Sequence, residues 1–201
     1  MTKNSSPDPA SWPGHSPSRL NPKEREALRE VAWRSIDFGL EEGRPLELTA
    51  ESYPPPLQEE GATFVTLEVG GRLRGCIGTY LPRRPLVMDV AENAFSAAFR
   101  DHRFPPVSES ERKELELHIS LLAPLAALDV ESEGDLLRAL RPGVDGLLLE
   151  DPPHRSTFLP QVWDSLPDPL EFLAQLKLKA GLPRDHWSPN VRFYRYTVEE
   201  F

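Results

Sequence analysis

Gly70-Gly71 lies between two runs of strand character, Ala62 to Val69 and Arg72 to Tyr80. Paired glycines reach the positive φ angles of a tight two-residue turn, so this stretch predicts an antiparallel hairpin. The rest of the chain adds strands and helices that do not alternate strictly. That mixture argues for an α+β fold and against a doubly wound parallel sheet.

The return strand, Arg72-Leu73-Arg74-Gly75-Cys76-Ile77-Gly78-Thr79-Tyr80, holds the only cysteine of the chain. Side chains alternate across a strand. Simple alternation puts Arg74, Cys76, Gly78 and Tyr80 on one face and Leu73, Ile77 and Thr79 on the other. A guanidinium beside a thiol favours the thiolate, the nucleophilic form. Gly75 and Gly78 leave the backbone bare, so a ligand or another chain segment can come close. They are equally compatible with a bulge. The competing reading is an inert cysteine, because unpaired cysteine often packs as a small buried hydrophobe.

Other elements follow from periodicity. Asn21 and Pro22 read as the start of a helix, with Leu28, Val31, Ala32, Ile36 and Leu40 inward and Gly43 as its stop. A second helix follows Pro85 and ends near Arg100, with Val87, Val90, Ala91, Ala94, Phe95 and Ala98 inward. Asp101-His102-Arg103-Phe104-Pro105-Pro106 is a stiff polar loop, and such loops often carry function. Glu114 to Leu122 alternates as a half-buried strand, with His118 on its polar side. Asp135 to Leu140 predicts a short helix and Gly146 to Glu150 a short strand. Pro169 opens a helix that buries Leu170, Leu173 and Leu176 and stops at Gly181. Val191 to Val198 predicts a last strand, pairing back into the main sheet. Residues 1–20 are rich in Pro and Ser and predict a mobile tail; residues 21–201 read as one domain, or one domain with a small lobe.

Composition narrows the function. The net charge of −9 disfavours direct nucleic-acid binding and attraction to an anionic membrane. Between Gly71 and Arg103, however, six arginines face three acids, a local +3. A small anionic ligand fits there, and so does an ordinary solvated basic face. One cysteine excludes an internal disulfide and a multi-cysteine zinc site, and it suits a reducing compartment. Met1 to Ser6 is polar, no apolar run follows, and no stretch reaches membrane-span length, which leads to a cytoplasmic expectation. No phosphate loop, dinucleotide fingerprint, nucleophile elbow or helical His pair is present. Metal ligands and a cofactor therefore go unassigned.

Leu73-Arg74-Gly75-Cys76-Ile77-Gly78 resembles the signature of the AMMECR1 family. Arg103-Phe104-Pro105-Pro106-Val107, Thr157-Phe158-Leu159-Pro160-Gln161-Val162-Trp163, Lys179-Ala180-Gly181-Leu182 and the closing strand Val191 to Tyr196 resemble its later motifs in the same order. The likeness runs from about Pro22 to Phe201. It implies antiparallel sheets flanked by helices, in a larger lobe using both termini and a smaller lobe, with a cleft between them that Cys76 lines or underlies. It also implies a pathway shared with Memo-like and radical SAM proteins. Lys177 stands where relatives often carry cysteine, so a two-cysteine mechanism is disfavoured.

Two functional readings stand. In the first, the protein is an enzyme or ligand-binding protein built on Cys76 as nucleophile or redox thiol. Arg74 then lowers its pKa or holds an anionic substrate, Arg103 is a second anion contact, and Asp101 or His102 is a base. Gly75 and Gly78 allow close approach, and Arg155, Thr157 and Gln161 face the ligand. In the second, the protein is a non-catalytic adaptor whose groove binds a protein partner.

Overall fold

A computed structural model describes residues 20–201. The predicted tail, except for Leu20, lies outside the described residues; Leu20 itself is buried. The chain divides into two compact units, one of residues up to Ile119 together with Phe201, the other Ser120–Glu200. Phe201 joins the first unit by exchanging backbone hydrogen bonds with Ile119.

The first unit opens with α1 (Pro22–Glu42). Its start is built as the sequence predicts: the Asn21 side chain accepts from the Lys23 and Glu24 backbone N–H groups, and the Glu24 carboxylate accepts from the Asn21 N–H. Gly43, with φ of 68°, ends it. A short helix, α2 (Pro55–Gln58), then leads into the hairpin β1 (Thr63–Val69) and β2 (Arg72–Gly78). Gly70 and Gly71 both have positive φ, 56° and 70°, as the two-residue turn demands.

Helix α3 (Leu86–Phe99) packs on one face of this hairpin and against α1. Val65 and Leu67 of β1 and Val87, Val90 and Ala94 of α3 are completely buried in that layer. The Ser35 hydroxyl donates to the Ala91 carbonyl at 2.7 Å, tying α1 to α3. Asp89 is a buried polar knot under the start of β1. It accepts from the Thr63 N–H at 3.0 Å, the Thr63 hydroxyl at 2.7 Å and the Asn93 amide at 2.9 Å. Burial pushes its carboxyl pKa up, against the pull of those bonds.

Strand β3 (Leu115–Leu122) keeps the predicted alternation as far as Ile119, with Leu115, Leu117 and Ile119 buried and Glu116 exposed; from Ser120 to Leu122 every residue is buried, which corrects the polar placement that alternation gives Ser120. Among the described residues, two four-stranded antiparallel sheets result. The first has the order β2-β1-β3-β8, where β8 is Val198–Glu200. The second has the order β4-β7-β5-β6, from β4 (Ala126–Leu128), β5 (Gly146–Asp151), β6 (His154–Phe158) and β7 (Arg192–Tyr196). The predicted last strand is thus two strands: β7 lies inside the second sheet and β8 pairs with the end of β3.

The second unit also contains α4 (Glu133–Ala139) and α5 (Pro169–Lys179). Its core joins Leu147 and Leu149 of β5, Phe193 of β7 and Phe172, Leu173 and Leu176 of α5. Trp163 stacks on Phe172 with ring centroids 3.8 Å apart and donates its indole N–H to the Asp145 carbonyl at 2.7 Å. The expectation that Leu170 is buried is corrected: it is exposed, because the helix turns Phe172, Leu173 and Leu176 inward instead. Lys177 is buried on α5 and ion-paired with Glu133. No helix among the described residues is long and apolar enough to cross a membrane.

Candidate functional site

The hairpin register decides where the cysteine points. Near the turn, Val69 pairs with Arg72 and Glu68 with Leu73. Further along, Leu67 pairs with Gly75, Thr66 with Cys76 and Val65 with Ile77. Arg74 is the extra residue, a one-residue bulge. Continuing the register of the turn without a bulge would set Cys76 opposite Val65, which is fully buried beneath α3. The bulge instead sets it opposite Thr66, on the side of the sheet away from α3.

This corrects the expected face shared by Arg74 and Cys76. The bulge turns Arg74 and Gly75 inward in succession and leaves Cys76 outward. Arg74 is buried, and its fork closes on Glu111, with Nε to Oε1 at 2.8 Å and Nη2 to Oε2 at 3.3 Å. The pairing with Arg74, above all, lowers the Glu111 pKa from 4.5 to about 2. The cation expected to activate the thiol is engaged elsewhere.

The glycines serve packing. A Cβ on Gly75 would collide with the Ala97 carbonyl of α3, and one on Gly78 would collide with the Phe64 ring and the Thr63 carbonyl. The close approaches anticipated at these two residues are made by the chain itself.

Strand β2 is at the edge of its sheet, so some of its backbone groups have no strand to pair with. The Asp101 loop covers them at Cys76. The Cys76 N–H donates to Asp101 Oδ2 at 2.9 Å, and Arg103 Nη2 donates to the Cys76 carbonyl at 3.2 Å. Arg103 also grips Asp101, through Nε to Oδ1 at 2.9 Å and Nη2 to Oδ2 at 2.6 Å. Arg103, first of all, and then the Cys76 N–H hold the buried Asp101 carboxyl well below the usual carboxylate range. Both of its carboxylate oxygens are taken up by hydrogen bonds from Arg103 and the Cys76 N–H. The Arg103 pKa is raised, chiefly by Asp101 and also by the nearby Cys76. Arg103 is therefore the cation beside the thiol. His102 is exposed on the same loop.

The Cys76 side chain is half-buried. The Thr66 hydroxyl donates to its Sγ at 3.3 Å. A hydroxyl aimed at sulfur stabilises the anionic form. Thr66 and Glu111 went unrecognised in the sequence. The first becomes visible only once the bulge fixes the register; the second lies 37 residues from its partner.

Arg155, Thr157 and Gln161 belong to the second unit and have partners inside it. Arg155 pairs with Glu150 at 3.0 Å. The Thr157 hydroxyl donates to the Leu147 carbonyl at 3.0 Å and lies 2.7 Å from the Tyr196 hydroxyl, whose pKa burial pushes up to about 12. The Gln161 amide donates to Glu200.

Comparison with known proteins agrees with this architecture. The α+β fold matches the crystal structure of an uncharacterised protein from Pyrococcus horikoshii, with a TM-score of 0.83, 34% identity, and coverage of 91% of this chain and 93% of that one. The AMMECR1 family model matches residues 29–201, and the chain belongs to that family. Among its relatives are a protein of Methanothermobacter thermautotrophicus, 38% identical over 90% of this chain and 95% of its own length, and one of Thermococcus onnurineus, 39% identical over 91% and 92%.

Proposed function

We propose that Cys76 is the centre of a thiol site for a small anionic or electrophilic ligand, on the face of the first sheet turned away from α3. The observation that carries this reading is the Thr66 hydroxyl donated to Cys76 Sγ, on a strand whose bulge keeps the thiol out of the core. Thr66 stabilises the thiolate, and Arg103 supplies positive charge for an anionic ligand. Asp101 acts as a positioning residue, because it fixes both Arg103 and the Cys76 backbone. The exposed His102 is the candidate proton acceptor. Arg74, Gly75 and Gly78 build the strand and touch no ligand in this reading. Membership in the AMMECR1 family leads us to a Memo-like or radical SAM protein as the partner class.

The test uses two disulfide reagents, one carrying carboxylates and one neutral. Attack by the Cys76 thiolate forms a mixed disulfide and releases the reagent's other half as a thiolate, so atoms and electrons balance. The reading predicts fast reaction with the native protein and a preference for the anionic reagent that falls several-fold in Arg103→Gln. A native thiol that reacts with neither reagent overturns it and favours the protein-binding adaptor.

A further inference from the structure

The face that carries Cys76 also carries a cluster that its chemistry does not use. Glu68 lies two residues beyond Thr66 on β1, between buried Leu67 and the turn. Glu116 and His118 are two residues apart on β3, between the buried Leu115, Leu117 and Ile119, so both point to the same side of that strand. Strands β1 and β3 are neighbours in the sheet. One carboxylate oxygen from each glutamate and one ring nitrogen of His118 lie within 4.8 Å of one another.

We propose that Glu68, Glu116 and His118 form a binding site for a divalent transition-metal ion. Two facts beyond proximity support it. Neither Glu68 nor Glu116 has a hydrogen-bond or ion-pair partner among the described side chains. Like charges held together on adjacent strands are unfavourable unless a cation sits between them. The donor set is also mixed. One imidazole with two carboxylates suits Zn²⁺, Mn²⁺, Fe²⁺ or Co²⁺, whereas Ca²⁺ and Mg²⁺ favour oxygen alone. Ligands about 2.0–2.2 Å from a metal are separated from one another by about 3–3.6 Å. Small side-chain rotations, easiest for the exposed Glu116, close that difference.

Three protein ligands leave a coordination position for water or a ligand atom. The sequence hid this site because only two donors are close in the chain, at strand spacing rather than helical spacing. The site does not depend on the proposed role of Cys76.

The test is titration of the full metal-free chain with Co²⁺, followed by its visible absorption, and with Zn²⁺, followed by calorimetry. The expected result is one equivalent bound, weakened at least ~10-fold in His118→Ala and in Glu68→Gln. Cys76→Ser should leave the affinity unchanged. Glu116 is exposed, so Glu116→Gln provides a third ligand variant if another fails to fold. No binding by the wild-type chain overturns the proposal, as does unchanged affinity in any one folded ligand variant. Binding lost in Cys76→Ser but kept in His118→Ala would place the metal on the thiol and also overturn it.

Discussion

The two faces of β2 are built for different purposes. Toward α3, Gly75 lies against the Ala97 carbonyl and Arg74 is locked to Glu111. These residues are buried, and the Arg74 Nε and Nη2 donors are taken up by Glu111. Away from α3, Cys76 is half-buried and meets a hydroxyl, and the neighbouring strands present Glu68, Glu116 and His118. A single bulged residue separates the two environments. The signature stretch therefore holds residues of both environments, and Arg74 lies in the buried one.

The inner face should break first. Gly75→Ala forces a Cβ into a helix carbonyl that has little room to move, so a loss of about 3 kcal/mol is expected in urea unfolding. Arg74→Met removes the buried partner of an ion pair whose other half, Glu111, is part-exposed and still accepts from Ser108; a loss of about 1 kcal/mol is expected in the same measurement. Native-state thiol chemistry should survive Arg74→Met, because the cation beside Cys76 is Arg103.

Acid sharpens the same contrast. The folded Glu111 has a pKa of about 2 against an ordinary 4.5, so the folded state binds its proton less readily. The stability this pair contributes is complete above about pH 4.5 and is lost as pH falls toward 2. Asp101 is depressed as well and acts in the same direction. Unfolding measured across this window should fall steeply in the wild type and less steeply in Arg74→Met. The smallest stability change belongs to the outer face. Thr66→Val should alter stability by only about 0.5 kcal/mol, yet slow the native thiol's reaction several-fold.

The hairpin was legible because glycine alone supplies two consecutive positive φ angles cheaply. Helix α1 was legible from Asn21, Pro22 and Gly43, and β3 from its alternation. Strand β6 was missed because His154-Arg155-Ser156-Thr157 has no apolar alternation; its pairing with β5 makes it a strand. The split of the last strand at Thr197 depends on which sheet each half joins, which no local pattern encodes. Cys76, Arg103 and Asp101 were each named from the sequence, and the structure brings them together. Their roles were not legible. Gly75 permits a bulge without specifying one, and a shift of one residue exchanges the faces of everything beyond it.

The most direct test is the rate of Cys76 alkylation by a neutral reagent at pH near 7, measured in the native protein and in the urea-unfolded chain. One cysteine makes the signal unambiguous. A thiol placed outward by the bulge and stabilised as thiolate by Thr66 should react faster in the native protein than in the unfolded chain. A native thiol that reacts orders of magnitude more slowly than the unfolded one would contradict the account, because Cys76 would then belong to the packed face.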